Sequence, residues 1–452
     1  MTDYIVAIDL GTSHITGIVG EKYTDGTFSI IACETVDPAS CIRRGIIYNR
    51  DNTAVHVKTL LKKLESHLSG SFIDKVYIGV GGQSLHTIDH VEAKDIAEGA
   101  AITNEDIDML KKQCEEYSPD LQDVLDIASP VFYVDGRRDT KPAGVPCKRF
   151  EAHYKLVVGR SSIRRDIVKS INELAGKELA GIIVSPLALA DAMLSQEEKE
   201  LGCALVDFGA GVTTVSVYRN GDLLHMSVIP LGGNLITRDI ASLQLTEAEA
   251  EKLKKEHGSA ILQKEDEEEV LHIDMEGADR EIAVKDLNAV IEGRAKEIVE
   301  NVYTRIFEVT ELKSLGSGIV MAGGGAELKN LPELIKDKCK VKVRHSAIRS
   351  GLVRGADNLI GNPLYTTAVS LMLKGTEPCV TRPVTTTTTT TSTIFPSEEI
   401  ESQSDFVKKE DPDEGRRGFF GPKKNRKNEK NRGRENEGGG IGGFIRGIFD
   451  ES

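Results

Sequence analysis

The sequence of 452 residues contains no tryptophan, and aromatic residues make up only 5% of it. A run of about 18 apolar residues is also missing, so we expect no membrane-spanning helix. Basic residues are outnumbered, and the formal net charge of -14 argues against nucleic-acid binding by the body of the protein. The apolar fraction of 39% fits a soluble globular chain, long enough for two or three packed units.

Paired cysteine motifs are missing as well. The seven cysteines form no CxxC pair, and such an odd, unpatterned set is typical of reduced thiols in a cytoplasm. Asp3 and Asp9 interrupt the only early apolar stretch, so we expect no signal peptide. His86 and His90 are spaced i, i+4, but the alternation around them predicts a strand, which would separate the imidazoles and disfavours a metal site.

What the sequence does contain is an internal repeat. Residues 4–19 are "YIVAIDLGTSHITGIV" and residues 202–217 are "GCALVDFGAGVTTVSV". Each copy has an apolar strand, an Asp-x-Gly turn and a strand rich in β-branched residues, so that Asp9 matches Asp207 and Gly11 matches Gly209. A third apolar run follows each copy, "FSIIACETV" and "LLHMSVIPL". The pattern predicts a three-stranded antiparallel meander that is used twice.

A second pair of similar segments follows the meanders. "KVYIGVGGQ" (75–83) and "GIVMAGGGA" (318–326) both read as a buried strand that runs into a glycine turn. The stretches before them, 52–68 and 290–313, carry apolar residues at the spacing of an amphipathic helix. The apolar positions are Val57, Leu60, Leu61, Leu64 and Leu68 in the first and Ile291, Ala295, Ile298, Val302 and Ile306 in the second. Two copies of one unit predict an α/β fold with two lobes, whose acidic turns meet across a cleft.

The predicted cleft has the chemistry of a polyphosphate site. Turns of Gly, Thr and Ser present free backbone N–H groups to an anion. Asp9 and Asp207 would repel bare phosphate, so we expect a hard cation, Mg²⁺ with its waters, between them and the phosphates. The glycine turn at 322–326 would let a ribose or α-phosphate approach the backbone. The alternative is a pair of ordinary glycine hairpins with helix-capping Asp residues.

The motifs "AIDLGTS", "LVDFGAGVTTVSV" and "VMAGGGAEL" resemble the phosphate-1, phosphate-2 and adenosine motifs of the actin/Hsp70/sugar-kinase superfamily. Residues 229–258, "IPLGGNLITRDIASLQLTEAEAEKLKKEHG", are similar to the FtsA family of bacterial cell-division proteins, and the resemblance runs from residue 1 to about residue 375. It implies an actin-like (ribonuclease H-like) duplicated fold that binds ATP and Mg²⁺. The implied nucleotide-binding residues are Asp9, Gly11, Thr12, Ser13, Asp207, Gly209, Gly211, Thr213, Gly232, Gly233, Glu251, Lys254, Gly323, Gly324 and Gly325, with Asp9 and Asp207 holding the metal through water.

The resemblance implies that Glu251 and Lys254 flank the adenine and ribose. Their i, i+3 spacing places both on one helix face. Without the resemblance, a surface helix with a salt bridge is the simpler interpretation. Ser185, in "VSPLALADAML", occupies the place where Hsp70-like relatives carry an acidic residue before a Pro. Because a hydroxyl is a poor base, we expect slow or unmeasurable hydrolysis. His14 stands where relatives often carry Lys, and it either alters phosphate contact or points to solvent.

The segment between the two halves of the first lobe reads as a compact insert. Residues 102–117 predict a helix with Thr103 as its N-cap and Asp106 three residues later, a near-capping box. The position matches the 1C subdomain (SHS2-type) of the FtsA family, which in that family supports filament formation and contacts with later division proteins. The resulting boundaries are 1–83 and 164–195 for the first lobe (IA), 84–163 for 1C, 196–378 for the second lobe (IIA/IIB, with IIB at about 232–315), 379–440 for a linker and 441–452 for a terminal helix.

The end of the chain differs in composition from the rest. Seven consecutive Thr residues, 385–391, cannot supply a core, and residues 416–434 carry nine Lys or Arg and one Glu. Apolar residues then return at i, i+3, i+4, i+7 and i+8 as Ile441, Phe444, Ile445, Ile448 and Phe449. This stripe predicts a short helix that anchors the protein in a membrane interface, with a helix docked in a partner's groove as the alternative.

Together with these features, the resemblance implies a protein that polymerises on the cytoplasmic face of the inner membrane at the division site and tethers FtsZ filaments there. By resemblance it would bind the tubulin-like polymer FtsZ, associate with itself, hold anionic lipids through its terminal helix and bind no nucleic acid. The alternatives on the same fold are a small-molecule kinase and an Hsp70-like ATPase. No sugar-pocket carboxylate stands out for the first, and no peptide-binding domain follows the lobes for the second.

Overall fold

The computed structural model describes residues 3–275, 278–355 and 357–381. The chain begins with the predicted meander, and an amphipathic helix and a buried strand follow it. The elements are β1 (Asp3–Leu10), β2 (Ile15–Lys22), β3 (Phe28–Val36), the short strands β4 (Ile42–Arg43) and β5 (Ile46–Ile47), helix α1 (Arg50–Glu65), β6 (Phe72–Ile73) and β7 (Lys75–Val80). The apolar face predicted for the first helix is buried throughout, which confirms that prediction.

The inserted segment folds around a small core of its own. Its elements are β8 (His86–Asp95), α2 (Asn104–Glu116), β9 (Gln122–Ile127), β10 (Val131–Val134), β11 (Arg137–Asp139) and β12 (Arg149–Arg160). Phe150, Leu156 and Leu110 are fully buried in this core. The predicted capping box is confirmed: the Asp106 amide donates to Thr103 Oγ1 at 3.2 Å, and the Thr103 amide donates to Asp106 Oδ2 at 2.8 Å. His86 and His90 lie on a strand, as predicted.

The chain returns to the first lobe and then enters the second meander. The connecting elements are α3 (Ser162–Val168), continued by a π-helical segment (Lys169–Ala175), β13 (Glu178–Val184), α4 (Ser185–Met193) and α5 (Gln196–Leu201). The second meander and its helices are β14 (Cys203–Phe208), β15 (Thr213–Arg219), β16 (Asp222–Ile229), α6 (Gly233–Ala241), α7 (Glu247–His257), β17 (Val270–Met275), β18 (Ala278–Ala283), α8 (Val284–Phe307), β19 (Gly318–Ala322), α9 (Leu331–Cys339) and β20 (Val343–His345). Short 3₁₀ turns lie at Glu265–Glu267, Leu312–Ser314 and Gly324–Glu327. The last elements are β21 (Val353–Arg354), α10 (Asp357–Ile360), α11 (Pro363–Lys374) and β22 (Val380–Thr381).

The two sheets confirm the internal repeat. In the first sheet the strand order is β13-β7-β1-β2-β3, and in the second sheet the equivalent strands lie in the order β20-β19-β14-β15-β16. Each meander is antiparallel, and each first strand also pairs in parallel with the strand that precedes a glycine turn. The segments 75–83 and 318–326 are therefore similar in sequence and also occupy equivalent places in the two sheets.

The last helix shows that the second lobe ends earlier in the chain than the sequence predicts. The sequence assigned 196–378 to that lobe, but β21 pairs with β3, and α11 packs on β1 and β2 of the first sheet. Val369, Leu371 and Met372 are buried there, and Gly20 leaves the room for Met372, because a Cβ at Gly20 would overlap its sulfur. Burial of the apolar face of α11 therefore returns the chain to the first lobe.

The insert is joined to the second lobe as well as to the first. Ser227 of β16 pairs with His86 of β8, so the strands of the insert continue the second sheet. The Met226 amide donates to Thr87 Oγ1 at 2.9 Å, and Arg138 forms an ion pair with Asp222 at 2.6 Å. In the described ranges of the chain, no helix is both long and apolar enough to cross a membrane.

Candidate functional site

The two acidic turns occupy equivalent places at the ends of β1 and β14. Asp9 pairs across its meander with Thr16, and Asp207 pairs with Thr214. On the other side, Asp9 lies beside Gly79 of β7, and Asp207 lies beside Ala322 of β19. Each carboxylate therefore leaves its sheet at the same edge, next to a glycine turn.

The electrostatics of this pair depend on burial and on proximity. Burial, with a further contribution from the charge of Asp207, raises the pKa of Asp9 to about 7. Burial also raises the pKa of Asp207 to about 6. At neutral pH both carboxylates therefore ionise less readily than exposed ones.

The turns themselves are held by backbone hydrogen bonds and by close contact between the lobes. The Gly209 amide donates to the Val212 carbonyl at 2.9 Å. Gly211 of the second lobe lies against Thr12 of the first, since a Cβ on Gly211 would stand 2.5 Å from Thr12 Oγ1. No larger residue fits there without separating the turns, so glycine is required at this position. Neighbouring Ser13 and His14 share a hydrogen bond of 2.9 Å between Oγ and Nδ1.

Gly232 and Gly233 line the base of the second turn. The Gly233 amide donates to the Gly209 carbonyl at 3.0 Å and so fixes the beginning of α6 beneath the turn. Thr213, predicted to bind nucleotide, is fully buried, and its hydroxyl donates to the Leu231 carbonyl at 2.8 Å. The Thr213 side chain therefore ties β15 to the segment before Gly232, and we assign it a positioning role.

Glu251 and Lys254 share one face of α7, as their spacing predicted. Lys254 Nζ lies 2.5 Å from Glu251 Oε2 and donates to the Gly233 carbonyl at 3.1 Å, and Thr237 Oγ1 lies between them. Burial lowers the pKa of Lys254, against the opposing effect of Glu251. Burial alone would raise the pKa of Glu251, but hydrogen bonds from Lys254 and Thr237 hold it below its ordinary value. Both side chains are thus fixed beside the second turn.

The third glycine turn closes the site next to Asp207. Gly323 has a φ of +83°, and a Cβ there would overlap Asp207 Oδ1. A Cβ on Gly325 would stand 2.8 Å from the Phe208 carbonyl oxygen, whereas Gly324 faces open space. The backbone of 323–325 therefore lies bare beside the second carboxylate, with room for a ligand at Gly324.

Comparisons with known proteins agree with this duplicated architecture. The sequence model of the family described as "Cell division protein FtsA" matches residues 204–370. The cell division protein FtsA of Porphyromonas gingivalis is 35% identical over 408 residues, which cover 88% of this chain and 84% of that protein. The chain belongs to the FtsA family. FtsA of Bacillus subtilis is 32% identical over 380 residues, covering 81% of this chain and 82% of that protein.

A solved structure is also similar to this FtsA-family chain. The chain from the PilM–PilN type IV pilus biogenesis complex superposes with a TM-score of 0.58 at 17% identity, covering 83% of this chain and 99% of that one. This likeness concerns the fold alone. With the strand orders of the two sheets, it confirms the predicted actin-like α/β fold.

Ser185 begins α4 directly behind the first carboxylate. It follows β13, which pairs with β7, and a Cβ on Gly79 would stand 2.8 Å from Ser185 Oγ. The Ser185 hydroxyl is buried and has no hydrogen-bond partner in the described part of the chain. The site thus has an uncharged hydroxyl beside Gly79, which pairs with Asp9.

The two carboxylates are the residues that could hold a cation. Among the residues that the structure describes, no group of three or more His, Cys, Asp or Glu side chains is placed to bind a metal. Mg²⁺ commonly takes one or two carboxylates and completes its shell with water and phosphate oxygens. Asp9 and Asp207 fit that donor set.

One contact with the site was missed by the sequence analysis. The Gly45 amide, from the β4–β5 hairpin, donates to Thr12 Oγ1 at 2.9 Å. The signal was present in "CIRRGIIYN", where two short apolar runs flank an Arg-Gly pair of hairpin-turn length. The predicted membrane-binding residues, Ile441, Phe444, Ile445, Ile448 and Phe449, lie outside the described residues, as does the linker after residue 381.

Proposed function

We propose that the protein binds ATP with Mg²⁺ in the cleft between its two acidic turns. The observation that carries this proposal is the contact between the two turns, where Gly211 lies against Thr12, with Asp9 and Asp207 at the ends of the strands that lead into them. A divalent cation between the two carboxylates would stabilise their ionised forms, which burial disfavours. The bare backbone of the turns then provides N–H donors for the phosphates that share the cation.

Other residues of the site complete the proposed binding mode. Glu251 and Lys254 would contact the ribose and adenine, because α7 holds both beside Gly233. Gly323, Gly324 and Gly325 would allow the nucleoside or its α-phosphate to approach the backbone. Thr12 accepts a hydrogen bond from Gly45, which leaves its own hydroxyl proton for a phosphate oxygen. The metal would supply charge neutralisation for the phosphates.

We further propose that this site switches assembly and that hydrolysis is slow. Ser185 cannot take a proton efficiently from an attacking water, so turnover should be below about 1 per second. Binding energy from ATP would then favour the joined lobes and polymerisation. The protein would act as a structural tether that carries weak or no ATPase activity.

The division role follows from membership of the FtsA family. We propose that the protein polymerises on the cytoplasmic face of the inner membrane and tethers FtsZ filaments at the division site. The 84–163 segment would contact later division proteins. The stripe from Ile441 to Phe449 would insert into anionic lipid, with the basic tract at 416–434 adding attraction to the surface.

Electron microscopy on lipid monolayers tests the whole proposal. With ATP and Mg²⁺ the full chain should form filaments on an anionic monolayer, and added FtsZ should be recruited. The variant D207N is the matched control for nucleotide, and deletion of 441–452 is the control for lipid. Absence of both filaments and recruitment with the unaltered chain, under conditions where FtsZ itself polymerises, would overturn the proposal.

A further inference from the structure

The β4–β5 hairpin has an unusual residue at its tip. Arg43 pairs with Ile46, so Arg44 and Gly45 alone form the turn, with φ values of +49° and +72°. A two-residue turn with both φ values positive favours Asn-Gly, Asp-Gly or Gly-Gly. Arginine has a local preference against this conformation. A residue kept against its backbone preference commonly serves a function through its side chain.

The tip of this hairpin lies between the two phosphate turns. Gly45 donates its amide to Thr12 of the first turn at 2.9 Å. A Cβ on Gly211 of the second turn would stand 2.9 Å from the Arg44 Cα. The Arg44 carbonyl accepts from the Gln83 amide at 3.0 Å and so fixes the tip from behind. The backbone of Arg44 is therefore held within contact distance of both lobes.

The Arg44 side chain is exposed and weakly held. Among the described residues, its guanidinium makes one hydrogen bond of 3.3 Å, from Nη1 to Gln83 Oε1. The adjacent Arg43 is engaged differently, since its guanidinium stacks on the Tyr48 ring at 3.6 Å. Lys254, another cation beside the second turn, forms an ion pair with Glu251. Arg44 is thus a cation at the turns that can be redirected toward a ligand at little cost.

The contacts along the second turn set the direction of the ligand. Gly233 lies against Gly209, and Lys254 lies against Gly233, at the end proposed for the nucleoside. Thr12 and Arg44 lie against Gly211, two residues further along. A triphosphate that extends from the Gly209 end to the Gly211 end therefore presents its last phosphate to Arg44.

We propose that Arg44 binds the terminal phosphate and makes the site discriminate a nucleoside triphosphate from a diphosphate. The inference rests on the nucleotide site proposed above. A guanidinium offers parallel N–H donors that match phosphate oxygens, which an ammonium cannot reproduce. Because the same tip binds Thr12 and contacts Gly211, occupation by a terminal phosphate also holds the two lobes together.

Binding of ATP and of ADP to the full chain, each with Mg²⁺, tests this assignment by calorimetry. The substitution R44N removes the charge but suits the turn, so it should fold normally. We expect R44N to weaken ATP binding about tenfold or more, as loss of one charged hydrogen-bonding group does, and to leave ADP binding within about twofold. R44K should recover part of the ATP affinity. The control R43Q, which alters the neighbouring residue of the same charge, should change neither ligand.

The outcomes separate this inference from the proposed function. If the unaltered chain binds neither nucleotide, the nucleotide site itself is wrong. If the unaltered chain binds both nucleotides, and R44N weakens ATP and ADP binding equally or weakens neither, then Arg44 does not bind the terminal phosphate. A loss in R43Q as large as in R44N would equally overturn the assignment, because it would indicate a general effect of charge.

Discussion

Asp9 and Asp207 lie close enough for the charge of Asp207 to add to the effect of burial and raise the pKa of Asp9 to about 7. They are separated by almost two hundred residues in the chain, yet each ends the first strand of the same meander. Two carboxylates placed in this way are unfavourable in an empty cleft and favourable around a cation. The relationship has consequences for ligand binding and for stability.

Nucleotide binding with Mg²⁺ should weaken in acid. The cation needs deprotonated carboxylates. The pKa values of about 7 for Asp9 and about 6 for Asp207 place their protonation at and just below neutrality. We expect the affinity for Mg–ATP to fall about tenfold between about pH 8 and about pH 6. Fluorescence titration with a labelled ATP measures this change. In EDTA the same titration should show no weakening toward acid, because without the cation protonation of the two carboxylates removes their repulsion of the phosphates. A slope unchanged by EDTA would contradict the assignment.

Replacing Asp9 by Asn should stabilise the ligand-free protein at high pH. A carboxyl whose folded pKa is raised destabilises the native state above that pKa, and the penalty disappears as the pH falls below its unfolded value. Each unit of pKa corresponds to about 1.4 kcal/mol, so the rise in the pKa of Asp9 from 3.8 to about 7 sets an upper limit of about 4 kcal/mol on the gain. D9N should raise the unfolding free energy toward that limit near pH 8 and by less than about 1 kcal/mol near pH 4.

Thermal unfolding in EDTA at both pH values measures the effect of D9N. Asp25 supplies the control, because it is exposed and its pKa is lowered by hydrogen bonds from Thr27. D25N should therefore give no stabilisation at either pH. Equal gains from D9N at both pH values would show that the effect is not electrostatic.

Loss of the Thr103 cap should loosen the inserted segment. Thr103 and Asp106 exchange two hydrogen bonds at the beginning of α2, and Lys94 forms an ion pair with the same carboxylate. T103A should cost about 1 kcal/mol, whereas T103S keeps the hydroxyl and should cost much less. Hydrogen exchange of the α2 amides resolves the difference. Protection that is the same in T103A and T103S would mean that packing alone holds the helix.

Membrane attachment should depend on the apolar stripe at the end of the chain. Deletion of 441–452 should abolish co-sedimentation with anionic liposomes, and F444D should reduce it strongly, because the charge would have to enter the lipid interface. D450N is the matched control: it removes a negative charge near anionic lipid, so binding should be equal or tighter. Co-sedimentation of the deletion at the level of the full chain would reject the anchor.

Local features of the fold could be predicted because they depend on near neighbours in sequence. The helix over α1 follows from apolar residues at i, i+3, i+4 and i+7, and all of them are buried as expected. The meanders follow from alternation and turn residues, and the Thr103 cap from two residues three apart. Glu251 and Lys254 meet because one helical turn joins them.

Other features could not be predicted because they are contacts between distant parts of the chain. The return of α11 to the first sheet depends on Met372 fitting the space at Gly20, a match that no local pattern reveals. The positioning role of Thr213 could not be predicted either, because it depends on the hydrogen bond that its hydroxyl donates to the Leu231 carbonyl. The hairpin tip at Arg44 was overlooked for the same reason, since its meaning comes from Thr12 and Gly211.

The repeat, most helices and strands, and the residue types at the two turns follow from the sequence alone, since periodicity and short-range hydrogen bonds act within a few residues. Contacts between distant parts of the folded chain are needed to place Gly211 against Thr12, to put Arg44 between the turns and to return the end of the described chain to the first lobe. These placements arise when apolar faces far apart in the chain are buried together, and the free energy of that burial depends on the shape of both partners.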